Sequence, residues 1–239
     1  MFQAHAVAGL ALVFAAVVVC GAWVCLLTRA RAAVRSEREL IAVLGAPLIA
    51  ARPLAAEKLA EQLGVHWFRR GRPILAVVSA EKGEGRTRVA AELARAFARA
   101  GERTLLIDAD FRSPGVHRAF GLANRQGLAD FLEGRASRLA RCADNLSVLV
   151  AGRVGTSPLE LLSRSRMQAL LAAAAERYSV VLVDTPAAER GPDLQLPAAF
   201  AGGALVVTKF SSHIPPLKRL HQLLLFCRAT VVGAVLSPV

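Results

Sequence analysis

The sequence has 239 residues, 54% hydrophobic and 20% charged, with 30 Lys and Arg against 18 Asp and Glu for a net charge of +12. That apolar share excludes a disordered or fibrous chain and bounds the protein to one ordinary domain plus an additional segment. The four cysteines, Cys20, Cys25, Cys142 and Cys227, form no CxxC pair, which argues against a disulfide framework or zinc site; the basic excess is spread, +5 over residues 1–72 and +7 over residues 73–239, which argues against a nucleic-acid-binding arm.

Residues 6–27 are a run of 22 without a charge. At about 1.5 Å per residue this crosses a hydrocarbon layer of about 30 Å as a helix. The five residues before it contain no Lys or Arg, unlike a cleavable signal peptide, so 1–28 is expected to be a transmembrane anchor. Arg29, Arg31, Arg35 and Arg38 follow at once and place the rest of the chain in the cytoplasm. Residues 29–72 read as a juxtamembrane connector. Its first half is helical, with an apolar stripe of Leu40, Ile41 and Leu44, and is broken by Gly45, Pro47 and Pro53; a second helix is expected over 54–63. An Arg-rich turn, Arg69, Arg70 and Arg72, precedes Pro73, where the globular domain, 73–239, is expected to begin.

From there short apolar runs alternate with helix-length segments. Strands are expected at 74–79, 104–108, 146–151, 180–184, 204–208 and 230–236, and helices between them include 87–100 and 216–226. Strands apolar on both faces, separated by helices, specify an α/β doubly wound, mostly parallel sheet with its site at the strand carboxyl ends.

The first strand runs into Ser79, Ala80, Glu81, Lys82, Gly83, Glu84, Gly85, Arg86, Thr87 and Arg88, and a helix follows. Glycines that turn backbone N–H groups inward, ahead of a helix N-terminus, are what a phosphate cradle requires. The general phosphate-loop pattern is departed from twice, by Ala80 at its first Gly and by Arg86 at its Lys. Asp108 and Asp110 end the second strand and Asp184 ends a later one, so three carboxylates share the loop's rim, with Thr87 supplying a hydroxyl for Mg²⁺. The five histidines, His5, His66, His117, His213 and His221, form no ligand set.

Residues 73–239 resemble the cytoplasmic ATPase domain of bacterial tyrosine kinases. That is the polysaccharide co-polymerase family of capsule and exopolysaccharide synthesis, a branch of the MinD/ParA-like P-loop ATPases. The resemblance rests on the loop 79–87, LLIDADFRSPGVHRAFGL at 105–122, GLADFLEG at 127–134, SPLELLSRSRM at 157–167 and VVLVDTP at 180–186, in the family's order. It implies ATP and Mg²⁺ as ligands. Gly83, Glu84, Gly85, Arg86, Thr87 and Arg88 match the Walker A loop, Asp108 and Asp110 the second acidic motif, and Asp184 the Walker B acid. Asp108, Asp110 and Asp184 are the implied catalytic residues; Thr87, Asp108 and Asp184 are the implied metal-holding ones. The implied place is the bacterial inner membrane, with polymerase, co-polymerase or export proteins as partners, association into homo-oligomers, and no nucleic acid.

Several departures qualify what is implied. Arg86 replaces the Walker Lys with a larger, planar fork, so nucleotide binding without hydrolysis is an alternative, as is a scaffold that binds its partners without turnover. Tyr178 is the one tyrosine and reads as packing at a strand start, whereas family kinases carry a tyrosine-rich tail. Between Glu57 and Phe68, where the family places its Glu/Arg subunit-docking motif, stand Glu57, Lys58 and Glu61 without the arginine spacing. Ser237 takes the place of an Asn that contacts the base. With one span, the chain is expected not to be a complete co-polymerase. A positioning ATPase of MinD/ParA type is a further alternative.

Overall fold

Strands that are apolar on both faces need cover on each, and the computed structural model, which describes residues 17–20, 23, 34, 36–50, 55–155, 157–163, 165–210 and 212–237, supplies it. In chain order the elements are α1 (Glu37–Leu44), β1 (Leu48–Ala50), α2 (Ala56–His66), β2 (Ile74–Val78), α3 (Arg86–Arg99), β3 (Thr104–Asp108), α4 (Val116–Ala119), α5 (Leu128–Leu132), β4 (Ala140–Ala143), β5 (Leu146–Leu149), α6 (Pro158–Leu162), α7 (Ser165–Arg177), β6 (Val180–Asp184), α8 (Gln195–Ala201), β7 (Gly203–Thr208), α9 (Ile214–Phe226) and β8 (Thr230–Leu236). The strands form one eight-stranded sheet, β1-β8-β7-β2-β6-β3-β5-β4, parallel except where β4 runs antiparallel to β5.

The two-residue period of a strand sorts its side chains into two cores. On one face Leu75, Val77, Leu106, Leu182 and Leu205 meet Leu59 and Leu63 of α2 and Val89, Leu93 and Phe97 of α3. On the other, Ala76, Val78 and Val206 pack under Leu40 and Leu44 of α1 and Leu217, Leu220 and Leu224 of α9. Further along that face Leu105, Ile107, Val181 and Val183 pack under α5, α6 and α7. Each fully buried leucine contributes about 1.5–3 kcal/mol through area removed from water.

All six strands expected from sequence are present, three with the expected ends and three with one end displaced by one or two residues. Two others are not evident in the pattern. β1 is three residues long, and β4, Ala-Arg-Cys-Ala, alternates half-buried with exposed positions at a sheet edge. The segment read as a connector contributes β1 and two packed helices. Helix α1 starts at Ser36, whose hydroxyl accepts from Glu39 N (3.2 Å), and ends at Gly45 in the left-handed region, φ 60°. Helix α2 is anchored by Trp67, 4% exposed, whose indole N–H donates to Ile74 O at 2.9 Å. Its ring lies against Gly203, where a Cβ would approach the ring to 2.2 Å, so the start of β7 accepts only glycine without displacement.

Most of the expected membrane span, residues 6–27, lies outside the described residues. Residues 17–20 and 23 are helical, with exposed side chains. Among the described residues no helix is long and apolar enough to cross a membrane. Of the arginines after the span, Arg29, Arg31 and Arg35 also lie outside the described residues, and Arg38 is exposed on α1.

Candidate functional site

After β6 the chain crosses over β2 to reach β7, so the strand order changes direction at β2, and the crevice at its carboxyl end is where a parallel sheet accepts a ligand. The loop leaving β2 turns at Gly83 (φ 78°) and Gly85 (φ 85°) and enters α3 at Arg86. No side chain caps α3, so its first N–H groups remain open toward an anion. In front of them lies a cleft of about 230 Å³ lined by residues 82–88 together with Asp110, Ser113, Arg118, Ala187 and Arg190. A larger cleft, about 490 Å³, opens at the opposite ends of the strands beside Phe68, Phe97 and Tyr178. It contains none of the three rim acids, and Tyr178 is half-buried there as a packing residue.

The acids meet because β6 lies between β2 and β3. Asp108 and Asp184 are direct neighbours in register, and Asp184 is also opposite Val77. Both are fully buried. Asp108 accepts N–H bonds from Asp110 (3.1 Å), Gly115 (3.1 Å) and Val116 (3.0 Å). These bonds shape the loop, yet loss of water and the nearby Asp184 charge raise its pKa to about 8. Asp184 is raised to about 6, chiefly by burial; the charge of Arg86 and the Thr87 hydroxyl, which donates to Asp184 Oδ2 at 2.6 Å, oppose the shift. Asp110 accepts Arg112 N (3.1 Å) and Ser113 N (2.9 Å) on one oxygen and Arg86 Nη2 (2.9 Å) on the other.

Arg86 is folded inward. Its guanidinium donates to Ser79 Oγ and Asp110, and its Nε stands 3.6 Å from Asp184 Oδ1. That pair has ionic contact without a hydrogen bond, so Arg86 Nε and Asp184 Oδ1 are buried polar atoms without a hydrogen-bond partner among the described residues. Asp184 Oδ1, the Thr87 hydroxyl and the neighbouring carboxylates are all hard oxygen donors, which suits Mg²⁺. Among the described residues no three His, Cys, Asp or Glu side chains form a metal cluster alone. A P-loop metal does not require one, because phosphate oxygens and water complete its shell.

Two loop side chains named by the sequence point elsewhere. Arg88 is held by Glu92 at 2.8 Å, one helical turn on. Glu84 is buried away from the cleft, accepting from Glu81 N (2.8 Å), Thr208 Oγ1 (2.9 Å) and Ser212 Oγ; burial raises its pKa. Both residues line the cleft, with the Arg88 side chain paired to Glu92 and the Glu84 carboxylate committed to its three donors. The ties to Thr208 and Ser212, and the bond from Lys82 N to Glu189 Oε1 (2.8 Å), span about half the chain, and no local spacing announces them. Ser237 is buried beyond β8, its N–H donating to Thr208 O at 2.8 Å. Glu57 pairs within the chain, with Arg99 at 2.6 Å.

The family of CobQ/CobB/MinD/ParA nucleotide binding domains matches residues 75–195, which carry the loop and all three acids. The chain belongs to this family. Within it, the chain is similar to bacterial tyrosine kinases. The chain is 35% identical over 166 residues to the tyrosine-protein kinase YwqD of Bacillus subtilis, which covers 67% of this chain and 70% of YwqD. It is 34% identical over 143 residues to the tyrosine-protein kinase wzc of Salmonella typhimurium, covering 58% of this chain and 20% of that much longer protein. The kinase domain of the Escherichia coli tyrosine kinase ETK superposes with a TM-score of 0.73 at 29% identity, over 77% of this chain and 74% of ETK's domain.

Proposed function

We propose that this chain is a membrane-anchored ATP-binding protein of exopolysaccharide or capsule synthesis. Its body would lie on the cytoplasmic side of the inner membrane and work with polymerase, co-polymerase or export proteins there. The observation that carries the reading is the open phosphate loop against the paired buried acids Asp108 and Asp184. The kinase relatives support the pathway, and the uncharged run at 6–27 followed by arginines supports the anchor.

In this reading the backbone N–H groups of residues 83–88 bind the phosphates. Thr87 and Asp184 would hold Mg²⁺, with Asp108 beside them. Bound Mg·ATP supplies the transferable phosphoryl group and the cation that neutralises its charge. Asp108 would take a proton from an incoming hydroxyl once a bound cation beside it has displaced the proton that burial lets it hold. Asp110 holds the loop 110–113 and orients Arg86.

A second reading rests on Arg86. With its guanidinium engaged by Asp110 and Asp184, the group that relatives aim at the phosphates is committed to the protein, as in a scaffold that binds its partners without turnover. Mg·ATP binding and hydrolysis by the full chain, beside Arg86→Lys and Asp108→Asn, separate the two. Binding with turnover lost in Asp108→Asn supports a working site. Binding that emerges only in Arg86→Lys supports the scaffold, and no binding by any of the three overturns the nucleotide reading.

A further inference from the structure

If Arg86 is spent on the acids, the charge of a bound polyphosphate must be met by other cations, and the cleft contains them. Besides the exposed Lys82 of the loop itself, Arg118 and Arg190 line it. Both side chains are exposed, and neither has an acid within ion-pair distance among the described residues. By contrast Arg88 is paired with Glu92.

Their backbones are fixed to the phosphate loop from two sides. Arg118 lies on α4, whose entry is held where Gly115 N and Val116 N donate to Asp108 Oδ2. Gly115 also sits so close to Thr87 that a Cβ there would come within 3.0 Å of the threonine methyl. Arg190 ends a short turn, residues 188–190, in which Ala188 N donates to Ser79 O (3.0 Å) and Glu189 N to Ala80 O (3.1 Å). The Glu189 carboxylate returns to Lys82 N. Each arginine is thus an exposed side chain on a backbone tied to the strand end or loop that binds phosphate, so only the side chain itself is ordered on binding.

We propose that Arg118 and Arg190 form a two-sided clamp on the terminal phosphates of a nucleoside triphosphate, taking the charge-neutralising role that Arg86 has given up. The clamp rests on the nucleotide-site reading above and adds to it the residues that discriminate by phosphate number. A planar guanidinium forms paired charge-assisted bonds to phosphate oxygens, so loss of either clamp member weakens triphosphate binding by about tenfold.

The test is titration of the full chain with ATP, ADP and AMP in the presence of Mg²⁺, for the native protein, Arg118→Ala, Arg190→Ala and the double variant, with Arg103→Ala at the far ends of the strands as control. The expected result is a tenfold loss for ATP in each single variant, a larger loss in the double, little change for AMP, and a shallower salt dependence in the double variant. Thermal melts establish that each variant is folded, and Arg118→Lys, which keeps charge but not the fork, is expected to recover part of the affinity. ATP binding by the native chain that is unchanged in both alanine variants, or reduced equally by Arg103→Ala, overturns the clamp and leaves the nucleotide site standing. Absence of ATP binding by the native chain overturns both.

Discussion

Replacing Arg86 by Met removes a buried cation that faces two buried acids. Its side chain is 9% exposed, against 5% for Asp110 and 0% for Asp184. Breaking a buried ion pair from one side costs about 3–5 kcal/mol, because the remaining charge is left without water or partner. A domain of this size loses about 2–4 °C of melting temperature per kcal/mol, so the expected drop is about 6–20 °C. The loss must depend on pH. Asp184 titrates near 6 even with Arg86 beside it, and removing the guanidinium raises it further. At about pH 8 the Met variant therefore carries an uncompensated carboxylate, while at about pH 5.5 Asp184 is mostly protonated and the cost shrinks to about 1–2 kcal/mol. The assay is a pair of thermal melts of native and variant protein at the two pH values, free of nucleotide and divalent cation. A variant as stable as the native protein at the higher pH, or one destabilised equally at both, refutes the electrostatic account of Arg86.

Other outcomes follow from the same geometry. Burial lifts Asp108 and Asp184 to about 8 and 6, above the ordinary carboxyl value of 3.8, so between about pH 4 and pH 8 the native state holds protons that the unfolded chain has released. Native stability should therefore fall as pH rises through that window, and Asp108→Asn should flatten the slope in denaturant titrations. Glu84→Ala leaves Glu81 N, Thr208 Oγ1 and Ser212 Oγ without their shared acceptor and should cost about 2–3 kcal/mol in chemical unfolding; Ser212→Ala, removing one donor, should cost about 1 kcal/mol. Gly203→Ala drives a methyl into the Trp67 ring and should cost about 1–3 kcal/mol, with part of the loss recovered when Trp67→Leu is added, as a double-mutant cycle would measure.

The central sheet was legible because each of its strands is a short apolar run that local composition announces, and because Asp108 and Asp184 terminate such runs. A parallel sheet then had to bring them to one rim. What escaped the pattern depends on partners distant in sequence. Leu48–Ala50 is too short for a periodic signal and becomes a strand only because β8 presents an unpaired edge. Glu84 looks like any loop carboxylate until Thr208 and Ser212 arrive at the end of β7, the neighbour of β2 in the sheet but distant in sequence. The substitution of Arg86 for the expected Lys was plain in the sequence, but its inward course was not, since that follows from the positions of Ser79, Asp110 and Asp184 in three dimensions.

The two rims of the sheet are both closed by short, irregular strands. Six adhesive strands lie between a three-residue strand and a short one carrying Arg141, and both outer pairings shift register, at Leu48/Ala50 and at Arg141/Ala143. Brief, irregular and charged borders resist the stacking of one sheet onto another. A fragment begun at Pro73 would discard one of these guards and bare β8, TVVGAVL, an uncharged ribbon with a full row of open backbone groups. It would also uncover the leucines of α9 that α1 now shields. Residues 36–50 thus cover an open sheet edge and an apolar helix face, and fragments prepared for crystallisation or binding work should begin ahead of Ser36.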